Sequence, residues 1–401
     1  MWEILLQFLF WGSVGIVFYT YIGYGIFLFL CVKIKVVFHP QTTLIPSEDS
    51  FPDVTLLIAA YNEEDSIDMK MENCRQLDYP RERLHIIWIT DGSTDNTNQK
   101  LTNYSEITIY HQPSRNGKTA ALNRGMQFVN TPFTVFTDAN TMLNREAIRE
   151  IIVPFADPNV GCVAGEKRIL VRDKDTASSG GEGFYWKYES KLKAWDSQLY
   201  STVGAAGELY AIRTPLFETM PTDTLLDDFM LSMRIACRGY KIAYCDKAYA
   251  IEDGSADMKN EEKRKIRIAA GGLQSIARLK PLLIPNPFQL GLLRFQYISH
   301  RVLRWSITPI LLFISFPLNI ILTFWPEHSP FYNAILLLQI LFYIFAILGY
   351  FMQQKQIKIK ILFIPYYFLF MNLNVIKAFT YLKANKGSGI WEKAYRKPRS
   401  K

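Results

Sequence analysis

Residues 4–31 carry no charged side chain. A run of that length is too long for the apolar core of a secretory signal. Glu3 rather than a basic cluster precedes it, and no small-residue cleavage pattern follows. It reads as a retained transmembrane helix, so the fold must place at least one end of the chain in a bilayer. Residues 306–324 and 331–352 are two further uncharged stretches of spanning length. They flank WPEHSP, where Pro326 and Pro330 prevent one helix from running through, so two spans joined by a tight turn are expected. Residues 361–376 are shorter and contain Pro365, Asn372 and Asn374. A further span, an in-plane helix and a re-entrant piece all fit that stretch.

Charge gives these segments a direction. Lys33 and Lys35 follow the first stretch directly, and QQKQIKIK at 353–360 follows the third, which places the middle of the chain in the cytosol. Residues 383–401 form a basic tail with Lys383, Lys386, Lys393, Arg396, Lys397, Arg399 and Lys401. A cytosolic tail is incompatible with a complete crossing just before it, so 361–376 are expected to fall short of one. Much of the net charge of +8 sits beside the apolar stretches and in this tail. Anionic lipid headgroups are therefore the expected partner, and a nucleic-acid role is not supported, because no basic stripe with interleaved aromatics occurs. The five cysteines are odd in number and lack C-x-x-C spacing, which points to neither a zinc site nor a disulfide framework. The resulting division is an anchor at 1–35, a cytosolic domain at 50–275, an interfacial helix and membrane helices at 285–382, and the tail at 383–401.

Between about residues 52 and 250, short β-branched runs alternate with helix-like segments, the pattern of an α/β unit with a mostly parallel sheet. VTLLIAA, LHIIWIT, ITIYH and FTVFT read as its first four strands. Ligands of such sheets sit at the carboxyl ends of the strands, where Tyr61, Asp91, Lys118 and Asp138 fall. Asp138 and Asn140 stand two apart past the fourth strand. Their oxygens can share one hard cation, magnesium or manganese, whose other ligands come from substrate phosphates. In isolation the pair also fits an Asx-turn followed by a helix cap.

AAYNEED, TDGSTDNT, RNGKTAALN, TDAN and LLDDFML occur in that order. The series resembles the family 2 glycosyltransferases, with their GT-A fold, and the membrane layout resembles the processive polysaccharide synthases of that family. The resemblance implies an inverting transfer from a nucleotide sugar, most simply a UDP-sugar, to a growing glycan in β-linkage; one-sugar transfer to a lipid-linked acceptor such as polyprenyl phosphate is the alternative. It implies that Tyr61 lies against the nucleobase, Glu63 holds the nucleoside, Asp91 bonds the uracil or ribose, and Lys118 meets a phosphate oxygen. Asp227 and Asp228 match the acidic pair whose second member is the general base. GAAGELYAIR matches the acceptor segment, with Glu208 and Tyr210 as contacts, and Trp186 either packs or stacks on a sugar. Where these synthases carry Gln-x-x-Arg-Trp, this chain has RKIRI: Arg264 and Arg267 remain as cations for the diphosphate, and Ile268 replaces the tryptophan. HRVLRW at 300–305 carries another Arg-Trp pair but directly precedes a span, and reads as an interface anchor. So few spans leave little room for a pore, which makes an oligomer or an accessory export subunit an expected partner.

Overall fold

The computed structural model describes residues 1–38, 51–170, 177–253, 258–284, 291–326, 329–355, 357 and 359–384. The basic tail from residue 385 onward lies outside them, as does part of the WPEHSP turn.

Eight strands form one sheet in the order β3-β2-β1-β4-β7-β6-β8-β5. The first four, β1 (Val54–Ala60), β2 (Leu84–Asp91), β3 (Thr108–Gln112) and β4 (Phe133–Asp138), are mutually parallel. Beyond β4 the sheet is mixed. β5 (Met142–Leu143) pairs antiparallel with β8 (Lys241–Asp253), β6 (Val160–Leu170) runs parallel to β8, and β7 (Leu209–Arg213) runs antiparallel to both β4 and β6. VTLLIAA is apolar throughout because both faces of β1 are covered. Leu57 joins the cluster on one side of the sheet, and Leu56 and Ile58 join the other, as the alternation of a strand requires. In the register, Ala59 lies beside Asp138 and Ala60 beside Thr90, so β1, β2 and β4 end level with one another. That shared edge carries the first half of the site.

Helices α2 (Ile67–Arg75), α3 (Thr97–Leu101), α4 (Lys118–Gly125) and α5 (Ala147–Ile152) connect these strands, and α6 (Ala177–Leu199), α7 (Asp227–Cys237) and α8 (Met258–Arg278) follow. α1 (Trp2–Phe38) is a continuous helix with a π turn at Tyr19–Gly23, and α9 (Gly291–Trp305) carries a second π turn at Ile298–Val302. α10 (Ile307–Thr323), α11 (Pro330–Gln354) and α12 (Lys360–Ala384) complete the chain. Among the described residues, α1, α11 and α12 are long and apolar enough to cross a membrane. α9 and α10 make a fourth crossing if their 53° bend is counted within one broken span.

The expectation for 361–376 needs correcting in length: α12 runs for 25 residues straight through Pro365. The two asparagines that weakened its apolar character are buried against protein. Asn372 accepts a hydrogen bond from the Tyr21 hydroxyl of α1 at 2.6 Å, so its polarity is met inside the helix bundle.

Candidate functional site

One cavity of about 570 Å³ runs from the level strand ends to the membrane helices. At the strand end, Tyr61 follows β1 and carries the Arg115 guanidinium over its ring, 3.7 Å from the centroid. Asp91 ends β2. Its Oδ2 accepts from the backbone N–H groups of Asn116 at 3.0 Å and Gly117 at 2.7 Å, while its buried Oδ1 has no hydrogen-bond partner. Half of the carboxylate therefore shapes the loop and the other half is an acceptor for a ligand N–H or O–H. Gly117, at φ 93°, makes the turn that a side chain would resist and opens α4 with Lys118 as its first residue. Glu63 is fixed by its backbone N–H, which donates to Thr97 Oγ1 at 2.8 Å, and its carboxylate accepts from Ser66 Oγ at 3.2 Å.

The centre of the cavity is acidic. Asp138 ends β4, and its Oδ1 is 2.6 Å from Lys118 Nζ. Burial works against the Lys118 charge, but Asp138, Asp227 and Asp228 outweigh it and raise its pKa, so the ammonium stays protonated. Asp227 and Asp228 begin α7. Asp228 Oδ1 accepts from the Phe229 N–H at 2.7 Å. Burial and the adjacent Asp227 push Asp228 up to about 7 against the opposing charge of Lys118. A methyl group on Gly207 would stand 3.1 Å from Asp228 Oδ2 and 3.3 Å from Lys118 Nζ. Glycine there leaves the gap between carboxylate and ammonium open.

Asn140 lies on the cavity wall with Asp138, and its Oδ1 is buried without a hydrogen-bond partner. An orphaned oxygen beside a carboxylate fits a hard divalent cation. Among the described residues no group of three or more His, Cys, Asp or Glu side chains is arranged to hold a metal. A cation here would therefore need oxygens from its substrate. Beneath the loop, fully buried Lys70 donates to Thr137 Oγ1 at 3.1 Å and to the Thr141 carbonyl at 2.7 Å, tying down both sides of Asp138–Asn140. Burial pulls Lys70 down to about 8.

The remaining expected residues divide. Trp186 lines the cavity, with the ammonium groups of Lys167, Lys265 and Lys193 at 5.1, 5.7 and 5.9 Å from its ring centroid. Glu208 also lines it, with its carboxylate engaged by Lys167, which also pairs with Glu252. Burial acts to raise the Glu208 pKa, yet Lys167 and Arg264 hold it below the usual range. Arg264 sits among carboxylates, 3.4 Å from Glu252, 3.6 Å from Glu261 and 3.9 Å from Glu208. Arg267 and Ile268 line the cavity directly. Tyr210 does not reach it: β7 turns the ring into the core, stacked on Phe136 with centroids 4.6 Å apart. Its expected role as an acceptor contact is corrected to packing.

HRVLRW is a second correction. Arg301, Arg304 and Trp305 line the cavity rather than anchor an interface. Trp305 meets Phe229, the residue after Asp228, edge to face at 5.0 Å, and it fits because α8 carries Gly272, where an added methyl would come within 2.5 Å of the indole. Gly272 lies one helical turn after Ile268. The indole missing from α8 is thus supplied to the same helix face by α9. Spacing along the chain hid this, since the pair lies far downstream of the position where it was sought.

Residues 55–218 match the sequence model described as Glycosyl transferase family 2. Over 242 residues the chain is 28% identical to the poly-beta-1,6-N-acetyl-D-glucosamine synthase of Staphylococcus aureus (strain MSSA476), covering 57% of each chain. The alignment thus spans 57% of that relative's length. The synthase of the same name from Staphylococcus epidermidis (strain ATCC 35984) is 24% identical over 295 residues, 70% of each chain. Among solved structures, the mannosyltransferase PcManGT from Pyrobaculum calidifontis, in complex with GDP-Man and Mn2+, has a TM-score of 0.67 over 95% of this chain and 98% of its own, at 22% identity. At that identity the likeness is one of fold.

Proposed function

From the match of residues 55–218 to the family 2 model, and from a GT-A fold joined to membrane helices, we propose that the chain is a family 2 glycosyltransferase, an inverting enzyme that extends a glycan in β-linkage. The observation that carries this reading is the meeting of Asp228, Lys118 and Asp138 around the open space at Gly207. The donor is a nucleotide sugar, with UDP-N-acetylglucosamine first to be tried because of the named relatives.

Tyr61 and Arg115 hold the base, and the free Oδ1 of Asp91 accepts from its N–H or from the ribose. Asp138 and Asn140 are the residues that would hold Mg2+ or Mn2+, which when bound neutralises charge growing on the departing diphosphate. Lys118 adds a fixed positive charge at the same place. Asp228 takes the proton from the acceptor hydroxyl as that oxygen bonds to the anomeric carbon and the bond to the diphosphate breaks. One such displacement inverts the configuration. Arg267, on the cavity wall, is a second cation for the diphosphate.

Lys33 and Lys35, at the end of α1, support a cytosolic catalytic unit, where nucleotide sugars are made. A cysteine introduced at exposed Ser105 should then react with a membrane-impermeant thiol reagent only after the cells are opened. The activity is tested by incubating lipid-reconstituted protein with radiolabelled UDP-sugars and Mn2+ or Mg2+, with products resolved by size. A β-linked polymer from one sugar is the expected result. Failure of every nucleotide sugar to bind or react would end the reading.

A further inference from the structure

Helix α2 carries a charge where its pattern calls for an apolar residue. Ile67, Met71 and Cys74 recur at helical spacing and pack into the cluster that holds Leu56, Ile58 and Val135 of the sheet. Lys70 falls on the same stripe and is 0% exposed. An ammonium group is costly to desolvate in such a place, where a leucine would simply add to the core. Its presence must be explained by what it reaches.

It reaches the loop that carries Asp138 and Asn140. Lys70 Nζ donates to Thr137 Oγ1 at 3.1 Å, just before the pair, and to the Thr141 carbonyl at 2.7 Å, just after it. The turn between them closes by other means. The Thr141 N–H and hydroxyl both donate to the Asp138 carbonyl, at 3.3 and 3.0 Å. Asn73, one turn after Lys70 on α2, bonds both the N–H and the carbonyl of Leu143 at 2.8 Å. Thr137 also faces the other side of the site. Its hydroxyl, accepting from Lys70, donates to the Glu208 carbonyl at 2.9 Å. Glu208 follows Gly207, which leaves open the gap between Asp228 and Lys118. One buried ammonium thus holds the backbone that presents the Asp138 and Asn140 oxygens and, through a threonine, the backbone on the opposite side of the gap.

We propose that Lys70 is a positioning residue for sugar transfer: it pins the Asp138–Asn140 loop from below so that both oxygens face one cation and, through Thr137, keeps the Gly207–Glu208 backbone in register with them. The role rests on the glycosyl transfer proposed above. Lys70 does not line the cavity, so it acts only through the residues it bonds.

Lys70→Met keeps the length of the stem and removes the charge and its donors. In lipid-reconstituted protein, Mn2+ binding in the presence of UDP, read by electron paramagnetic resonance, should weaken about tenfold, the usual loss when a partner behind a metal ligand is removed. UDP affinity, measured by calorimetry in EDTA, should stay the same, because the base is held elsewhere. The melting temperature should shift by no more than a few degrees. Thr137→Val removes the shared hydroxyl at constant shape and should also weaken Mn2+ binding, whereas Thr137→Ser keeps the hydroxyl and should retain it. The variant carrying both Lys70→Met and Thr137→Val should lose less than the two single losses combined, since both break the same chain of bonds. A lower melting temperature with unchanged Mn2+ affinity and kcat would overturn the proposal, by reducing Lys70 to a packing residue. So would equal losses of UDP affinity with and without metal, or strictly additive losses in the double variant. If Lys70→Met does not fold, the threonine variants decide: weaker Mn2+ binding in Thr137→Val than in Thr137→Ser supports the role, and equal binding overturns it. If Mn2+ and UDP bind and respond to Lys70→Met but no UDP-sugar is consumed, glycosyl transfer falls and the positioning of the loop stands. An active transferase whose kcat and Mn2+ affinity ignore Lys70 overturns the positioning alone.

Discussion

The two ends of the cavity are built in opposite ways. At the strand end, Asp91 and Asp138 end β2 and β4, Tyr61 follows β1 and Lys118 opens α4, so all four are placed by the level edge of parallel strands. At the membrane end, Lys193, Trp305 and Met371 come from three different helices, and each depends on packing between elements distant in the chain. A sheet edge makes a binding site by backbone geometry alone, whereas a helix bundle makes one only after its helices have docked. Substitutions at the first end should therefore remove chemistry, and substitutions at the second should change which acceptor is taken and how well.

The largest effect is expected at the junction of the two. Asp228→Asn keeps shape and removes the proton acceptor, so turnover should fall about 10³-fold while UDP affinity, measured by calorimetry, stays nearly the same. Unchanged turnover would remove Asp228 as the base and dissolve the distinction drawn above. Asp138→Ala comes next. It deletes the carboxylate that pairs with Lys118 and, with Asn140, offers oxygens to a cation. Turnover should fall about 10²-fold, and Mn2+ bound in the presence of UDP, read by electron paramagnetic resonance, should be lost. Retained Mn2+ would place the metal elsewhere.

A smaller effect follows from the pKa of Asp228, raised to about 7 by burial and Asp227. A carboxylate acting as base works only when ionised. Its raised pKa keeps the protonated, inactive form populated below neutrality, so kcat should climb about tenfold per pH unit below pH 7 and level off above it. Asp227→Asn removes the like charge that contributes to the shift and should move the midpoint downward. A profile flat from pH 5 to 8 would mean that another group, or a step other than proton transfer, sets the rate.

How far the sequence could be read follows the same division. The strand end was legible because its residues occur in short, ordered motifs beside apolar runs, and the positions of Asp91, Lys118 and Asp138 at strand or helix ends agree with it. Tyr210 misled, since a tyrosine in a strand gives no sign from its neighbours of which face it takes. Both faces of β7 are covered, with Leu209 in the cluster on one side of the sheet and Tyr210 in the cluster on the other, so either face would have buried it. Lys193 looked like one more charge on an amphipathic helix, and nothing local marks a lysine that docking will bury. HRVLRW was visible as a motif, but its distance along the chain from Asp228 was taken for distance in space. The π turn at Ile298–Val302 and the bend after Trp305, which together turn that segment inward, have no simple sequence signature.

The smallest predicted change is also the most selective test of the membrane end. Gly272 is not among the residues that line the cavity; its lack of a side chain makes room for the Trp305 indole. Gly272→Ala should favour α8 itself, because alanine is the better helix former by roughly 1 kcal/mol, so lost activity could not be ascribed to a weakened helix. The added methyl would meet backbone-anchored ring atoms at 2.5 Å, and the indole must move. Overpacking of this kind costs roughly 1–3 kcal/mol. If Trp305 helps to shape the acceptor path, KM for the acceptor should rise several-fold, with the KM for the nucleotide sugar and the pH midpoint of kcat unchanged. Trp305→Phe in the same background restores space and should recover part of the loss, whereas Ile268→Trp should not, because that side chain starts a full turn earlier on α8. Equal changes in both KM values would show that the two ends of the cavity respond as one, and that the boundary between chemistry and acceptor choice lies elsewhere.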